Sequence, residues 1–149
     1  MIAARVVEDF VDRFARAWAH GGSAAMLTEF APAVRPDSRF VQPLEKALVG
    51  PDDLRAFFGR VYTLIPDLRG RVVRWAAHDD GVMIELELYG TLGGRPVRWS
   101  GCDRILLDAE GRIVERRAYF DPSPLVLTVL RRPRAWRSWW ASGLAVPGR

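Results

Sequence analysis

Cysteine, histidine and lysine are nearly absent from this chain: Cys102, His20, His78 and Lys46 are all it holds. A single cysteine excludes an internal disulfide and a multi-cysteine metal site. The two histidines lie far apart with no ligand spacing, so no metal centre is expected. No run approaches the roughly 18 apolar residues that a membrane-spanning helix needs. The N-terminal stretch "MIAARVVEDFVDRF" is interrupted by acids, unlike the apolar region of a signal peptide, and the chain reads as cytoplasmic. An excess charge of one sign is missing from the body too. The net charge is +4, but residues 131–149 hold five arginines and no acid. The other residues carry 17 basic side chains against 18 acidic ones, a net charge of −1. A near-neutral body offers no nucleic-acid surface.

What is present is a core. Hydrophobic residues make up 49% of 149, enough for one folded domain of ordinary size. Over residues 2–19, Val7, Phe10, Val11, Phe14 and Trp18 follow the 3–4 spacing of an amphipathic helix, stopped by "HGG" at 20–22. Ser23 is placed to cap a short second helix, "AAMLTEF". "APAVRPDSR" reads as loop by its prolines, and "FVQPL" as a short strand closed by Pro43. Gly50-Pro51-Asp52-Asp53 starts a third helix that runs to Pro66, with proline and acids suited to its N-terminal end. Four strands follow, at about 69–77, 81–92, 95–107 and 112–121, joined by the turns "HDDG", "LGGR" and "DAEG". Helices first and an antiparallel meander second predict an α+β domain.

The strand 82–88 alternates, with Val82, Ile84, Leu86 and Leu88 on one face and Met83, Glu85 and Glu87 on the other. A two-residue turn at Gly93-Gly94 pairs Leu92 with Arg95. That register sets Leu88 opposite Trp99, Leu86 opposite Gly101 and Ile84 opposite Asp103, so Asp103 points to the apolar side. A four-residue loop at Asp108–Gly111 pairs Leu107 with Arg112 and sets Asp103 opposite Arg116. The inward set of the last strand is then Val114, Arg116, Ala118 and Phe120. A one-residue slip would replace it by Ile113, Glu115, Arg117 and Tyr119. Unpaired charge on such a wall is costly, which favours Asp103 and Arg116 as a pair.

Helix–"GG"–helix, "RFVQP", "GPDDLRAFF", "PDL", "GTLGGRPVRW", "DAEGRIVE" and "AYFDP", in this order and spacing, resemble the nuclear transport factor 2-like superfamily over about residues 3–125. That superfamily includes the ketosteroid isomerases, the limonene epoxide hydrolases and the SnoaL-like polyketide cyclases. The resemblance implies a cone-shaped α+β fold, with three N-terminal helices on a curved antiparallel sheet. It implies a pocket for an apolar small molecule, no cofactor, and a homodimer formed through the sheet. By position, the isomerases' general base falls on Gln42, which cannot take a proton from carbon. Their oxyanion tyrosine falls on Phe14, and their second oxyanion donor falls on Asp103. The arginine and acid of the epoxide hydrolases fall on Ile84 and Leu86. The acid that the epoxide hydrolases and the cyclases place on the last strand falls on Ala118.

The candidate catalytic residues are therefore Asp103, to shuttle or donate a proton, Arg116, to tune it or bind substrate, and Gln42, to orient a carbonyl. Phe14, Trp18, Phe57, Phe58, Ile84, Leu86, Trp99, Ile105, Ala118 and Phe120 are the candidate substrate-binding wall. Tyr62 and His78 are expected at the surface. Cys102 faces outward with no base placed to activate it. The organisation expected is a SnoaL-like (ketosteroid isomerase-like) domain at 1–130 and a basic, tryptophan-rich tail at 131–149. Trp136, Trp139 and Trp140 share a helical face there, packed on the domain or on a partner. The function expected is that of a cofactor-independent isomerase or cyclase, with an apolar carbonyl-containing substrate of polyketide, steroid or terpene type. The alternative is a non-catalytic ligand-binding or dimerisation module in which Asp103 and Arg116 form a structural pair.

Overall fold

The computed structural model describes residues 1–145, so the end of the basic tail, 146–149, lies outside the described residues. Helices α1 (Ala4–His20) and α2 (Ser23–Phe30) come first, followed by a 3-10 turn at Ala31–Ala33. Then come β1 (Val34–Val41), β2 (Leu48–Val49), α3 (Gly50–Leu64), β3 (Arg69–His78), β4 (Gly81–Leu92), β5 (Arg95–Leu107) and β6 (Ile113–Tyr119). Two helices close the described chain, α4 (Ser123–Arg131) and α5 (Pro133–Ser142). The strands form one six-stranded sheet in the order β2-β1-β6-β5-β4-β3. Neighbours run antiparallel except β1 and β6, which are parallel. The helices pack against this curved, unclosed sheet, the α+β cone expected.

α1 buries Val7, Phe10, Val11, Phe14, Ala17 and Trp18, one stripe of a 3.6-residue period. It stops where Gly21 turns to φ 72° and donates its N–H to Ala17 O at 3.0 Å. A Cβ at Gly21 would sit 2.6 Å from Leu68 O, so glycine is required there for space as well as for dihedral. Ser23 is not the cap of α2: Gly22 holds that place, and no side chain bonds the helix end. At α3, the Asp53 carboxylate accepts from Val49 N–H at 2.9 Å and ties the helix start to β2.

Residues 34–39, expected as loop, are strand. Pro36 is tolerated because β1 is irregular between Val34 and Arg39, where no ladder bond to β6 needs its missing N–H. Ser38 closes that irregularity: its hydroxyl accepts from Arg35 N–H and donates to Ile113 O.

The β4–β5 ladder has the expected register, Leu92 with Arg95 through Ile84 with Asp103. The β5–β6 ladder differs. Leu107 pairs with Ile113, making the turn one residue longer, and a bulge at Val114 shifts the pairing once more. Asp103 therefore lies opposite Ala118, not Arg116, and Arg116 lies opposite Ile105. Two one-residue shifts restore the parity, so Arg116 and Ala118 still face inward. Val114 does not: it is 40% exposed, and Ile113 is fully buried in its place.

After β6 the chain turns at Asp121, whose carboxylate accepts from Ser123 N–H at 2.9 Å and is held below the usual carboxylate range by the Ser123 hydroxyl and then by that N–H. α4 and α5 then cross the open end of the cone. Arg132 between them donates to Leu92 O at 2.8 Å and to Arg95 O at 3.1 Å, capping the β4–β5 hairpin. A Cβ at Gly93 would lie 2.9 Å from Arg132 Cβ, so the hairpin tip is shaped to receive this arginine. Among the three tail tryptophans, Trp139 is half-buried, whereas Trp136 and Trp140 are exposed.

Candidate functional site

Inward-facing residues of the sheet split into two stretches along the strands. On β4, Val82, Ile84 and Leu86 belong to the solid core, together with Phe10 and Phe14 of α1. Farther toward the hairpin, Leu88 and Leu92 line a cavity of about 320 Å³. Such a volume is at the lower end of small-molecule pockets. α3 supplies one wall through Phe57, Phe58, Val61 and Leu64; α4 supplies another through Leu125, Val126, Val129 and Leu130; and Trp139 of α5 closes part of the rim.

Among the residues named from sequence, Trp18, Phe57, Phe58, Trp99, Ala118, Phe120, Gln42 and Arg116 meet on this cavity. Phe14, Ile84, Leu86 and Ile105 do not line it; each is at most 2% exposed, inside the core. Alternation assigns a residue to a face, but only the position of the covering helices decides whether that part of the face is filled. Asp103 is not on the cavity surface either. It is 2% exposed and sits behind Arg116, whose Nε donates to Asp103 Oδ2 at 2.7 Å.

Arg116 is thus the one of the pair that reaches the ligand space. The Asp103 carboxylate occupies its Nε, so the remaining guanidinium N–H groups point the charge outward on a fixed stem. Around it the walls carry polar atoms with no partner: Trp18 Nε1, Trp99 Nε1 and Gln42 Oε1 are buried and unsatisfied. Gln42 Nε2 donates weakly to Lys46 O at 3.4 Å, which directs the amide. An unsatisfied buried polar group costs about 1–3 kcal/mol, and all three belong to side chains that line the cavity.

Sequence reasoning missed Glu45, which also lines the cavity. It accepts from Arg60 Nη2 at 3.2 Å and from Ala145 N–H at 3.3 Å. Nothing in the local pattern around Gln42-Pro43-Leu44-Glu45 signals this, since Leu44 takes φ 67° and redirects the chain. The α4 wall was within reach: Leu125, Val126, Val129 and Leu130 have helical spacing. Tyr62, expected at the surface, is 9% exposed, and burial pushes its hydroxyl up to about 12. Cys102 is on the outer face, and burial, then the charges of Asp103 and Glu85, raise its pKa, which disfavours the thiolate. No group of three His, Cys, Asp or Glu side chains able to hold a metal occurs among the described residues. Among the described residues no helix is long and apolar enough to cross a membrane.

The sequence matches one known family. Residues 11–116 match the SnoaL-like domain. The chain belongs to that family. Solved structures share the fold. A protein described as a SnoaL-like polyketide cyclase, from Jannaschia sp., has a TM-score of 0.69 at 18% identity, over 89% of this chain and 96% of its own. A Catenulispora acidiphila protein with a ketosteroid isomerase-like fold, in complex with trimethylamine, has a TM-score of 0.69 at 20% identity, over 85% and 95%. AclR of Streptomyces galilaeus, described as a hydroxylase, has a TM-score of 0.69 at 16% identity, over 88% and 85%. At such identities the likeness is one of fold. No curated protein matches the SnoaL-like chain.

Proposed function

We propose that this SnoaL-like chain binds an apolar small molecule bearing carbonyl oxygens, of polyketide, steroid or terpene type, and performs isomerase- or cyclase-type chemistry on it without a cofactor. The observation that carries this reading is Arg116: a cation fixed at 2.7 Å by Asp103 on a mostly apolar cavity. A carbonyl that becomes an enolate gains negative charge on oxygen. A preorganised guanidinium on the cavity wall stabilises that charge better than the neutral ketone. Gln42 lines the same cavity and is assigned to orient the ligand carbonyl. Asp103 is a positioning residue here, acting through Arg116.

Binding can be read directly, because Trp18, Trp99 and Trp139 line the cavity. Bicyclic and tricyclic ketones are expected to quench tryptophan fluorescence. Arg116→Gln removes a charge-assisted hydrogen bond of about 1.5–3 kcal/mol and is expected to weaken ketone binding by roughly 10–100-fold. Equal affinity of the variant would remove Arg116 from the site.

A second reading has its own support. Asp103 does not touch the cavity, as suits a structural ion pair in a non-catalytic ligand carrier. Binding without turnover of any ketone bound would favour it. For assembly we propose a homodimer through the open face of the sheet, where Met83, Tyr89 and Tyr119 are exposed beside the outward charges of β4 and β5. Sedimentation equilibrium is expected to give twice the chain mass of 16.8 kDa; a monomer at micromolar concentration would refute the assembly.

A further inference from the structure

Proton transfer at carbon needs a base that touches the ligand. Asp103 lies behind Arg116, and Gln42 has no basic atom. The residues lining the cavity include two ionisable side chains, Arg116 and Glu45. We infer that Glu45 is the general base of the site, taking a proton from the carbon next to the carbonyl that Arg116 holds; this rests on the carbonyl-ligand reading above.

The placement of Glu45 fits the role. It lies on the segment between β1 and β2 that also brings Gln42, Pro43 and Leu44 to the cavity. Leu44, at φ 67°, takes a conformation that side chains other than glycine resist, and so sets the direction in which the next residue leaves the loop. The Glu45 side chain is 17% exposed, so it is largely withdrawn from water yet adjoins the ligand space. Two neighbours fix it: Arg60 of α3 on Oε2 at 3.2 Å, and the backbone N–H of Ala145 on Oε1 at 3.3 Å. The second contact comes from the segment after α5, so the C-terminal end helps to hold the carboxylate in place.

The chemistry balances within the ligand and these two side chains. The C–H bond α to the carbonyl breaks and its proton goes to a Glu45 oxygen. Its electron pair becomes a C=C bond, and the carbonyl π pair moves onto oxygen, where Arg116 meets the charge. Where the ligand carries a β,γ double bond, Glu45 then returns the proton to the γ carbon, and the double bond moves into conjugation with the re-formed carbonyl. Alternatively the enolate carbon attacks a second carbonyl of the same molecule, and Glu45 protonates the new alkoxide, which closes a ring. No oxidant or reductant is consumed.

The test uses 2-tetralone, a bicyclic ketone with exchangeable α-protons, and the whole chain. Affinity is read by tryptophan fluorescence, and α-deuterium exchange in heavy water by proton NMR. The wild type is expected to bind and to accelerate exchange over buffer. Glu45→Gln is expected to keep affinity within about threefold and to lose about 100-fold or more of the acceleration, the scale of a general base. Glu45→Asp should restore part of it. Unchanged exchange in Glu45→Gln overturns the inference, as does a wild type that binds 2-tetralone without accelerating exchange. Absence of binding overturns the carbonyl-pocket reading itself, and the role of Glu45 with it.

Discussion

Asp103→Ala is expected to destabilise the fold by about 3–5 kcal/mol, because it leaves the Arg116 guanidinium buried without its counter-charge. The two side chains are 3% and 13% exposed, so water cannot substitute for the lost carboxylate. At the size of this chain that loss lowers Tm by roughly 10–15 °C. The pair as a whole is a different matter. The double variant Asp103→Leu with Arg116→Met removes both charges and is expected to recover most of the stability, since desolvating two ions offsets much of their attraction. It should bind ketones no better than Arg116→Gln. Urea denaturation of the three variants checks this. A loss under about 1 kcal/mol in Asp103→Ala would mean that solvent reaches Arg116 and that Asp103 does not position it.

Phe14→Ala separates core from cavity. Phe14 is 1% exposed and meets Phe10, Trp18 and Phe30 with ring centroids 6.3, 6.4 and 5.7 Å away. Removing it is expected to cost about 3–5 kcal/mol, the transfer of the ring plus the void it leaves. Ligand affinity, measured well below the melting transition, should stay within about threefold, because Phe14 does not line the cavity. Phe58 offers the contrast: it is 4% exposed and lies on the cavity wall as well as in the core. An affinity loss in Phe14→Ala as large as that of Arg116→Gln would place Phe14 on the ligand after all.

Much of the architecture was readable in the chain, for reasons that are local. The stripe Val7, Phe10, Val11, Phe14, Trp18 has one helical period, and α1 buries it. Alternation over 82–88 assigns one face of β4 to the interior, and a two-residue Gly93-Gly94 turn leaves one register for β4 and β5. From these alone Asp103 turns inward. The motifs in their order point to the family that residues 11–116 match.

The rest is set by contacts between segments distant in sequence. The longer turn and the bulge at Val114 together moved Arg116 from beside Asp103 to the diagonal, and nothing in "DAEGRIVE" marks them. Whether Ile84 and Ile105 face ligand or other side chains depends on where α1 lies over the sheet. Glu45 reaches the cavity because a left-handed Leu44 aims it there, and because α3 and the end of the chain receive it. Periodicity determined which side of each element is apolar. Packing decided which apolar side was filled, which was left open, and which of the two inward charges meets the space between.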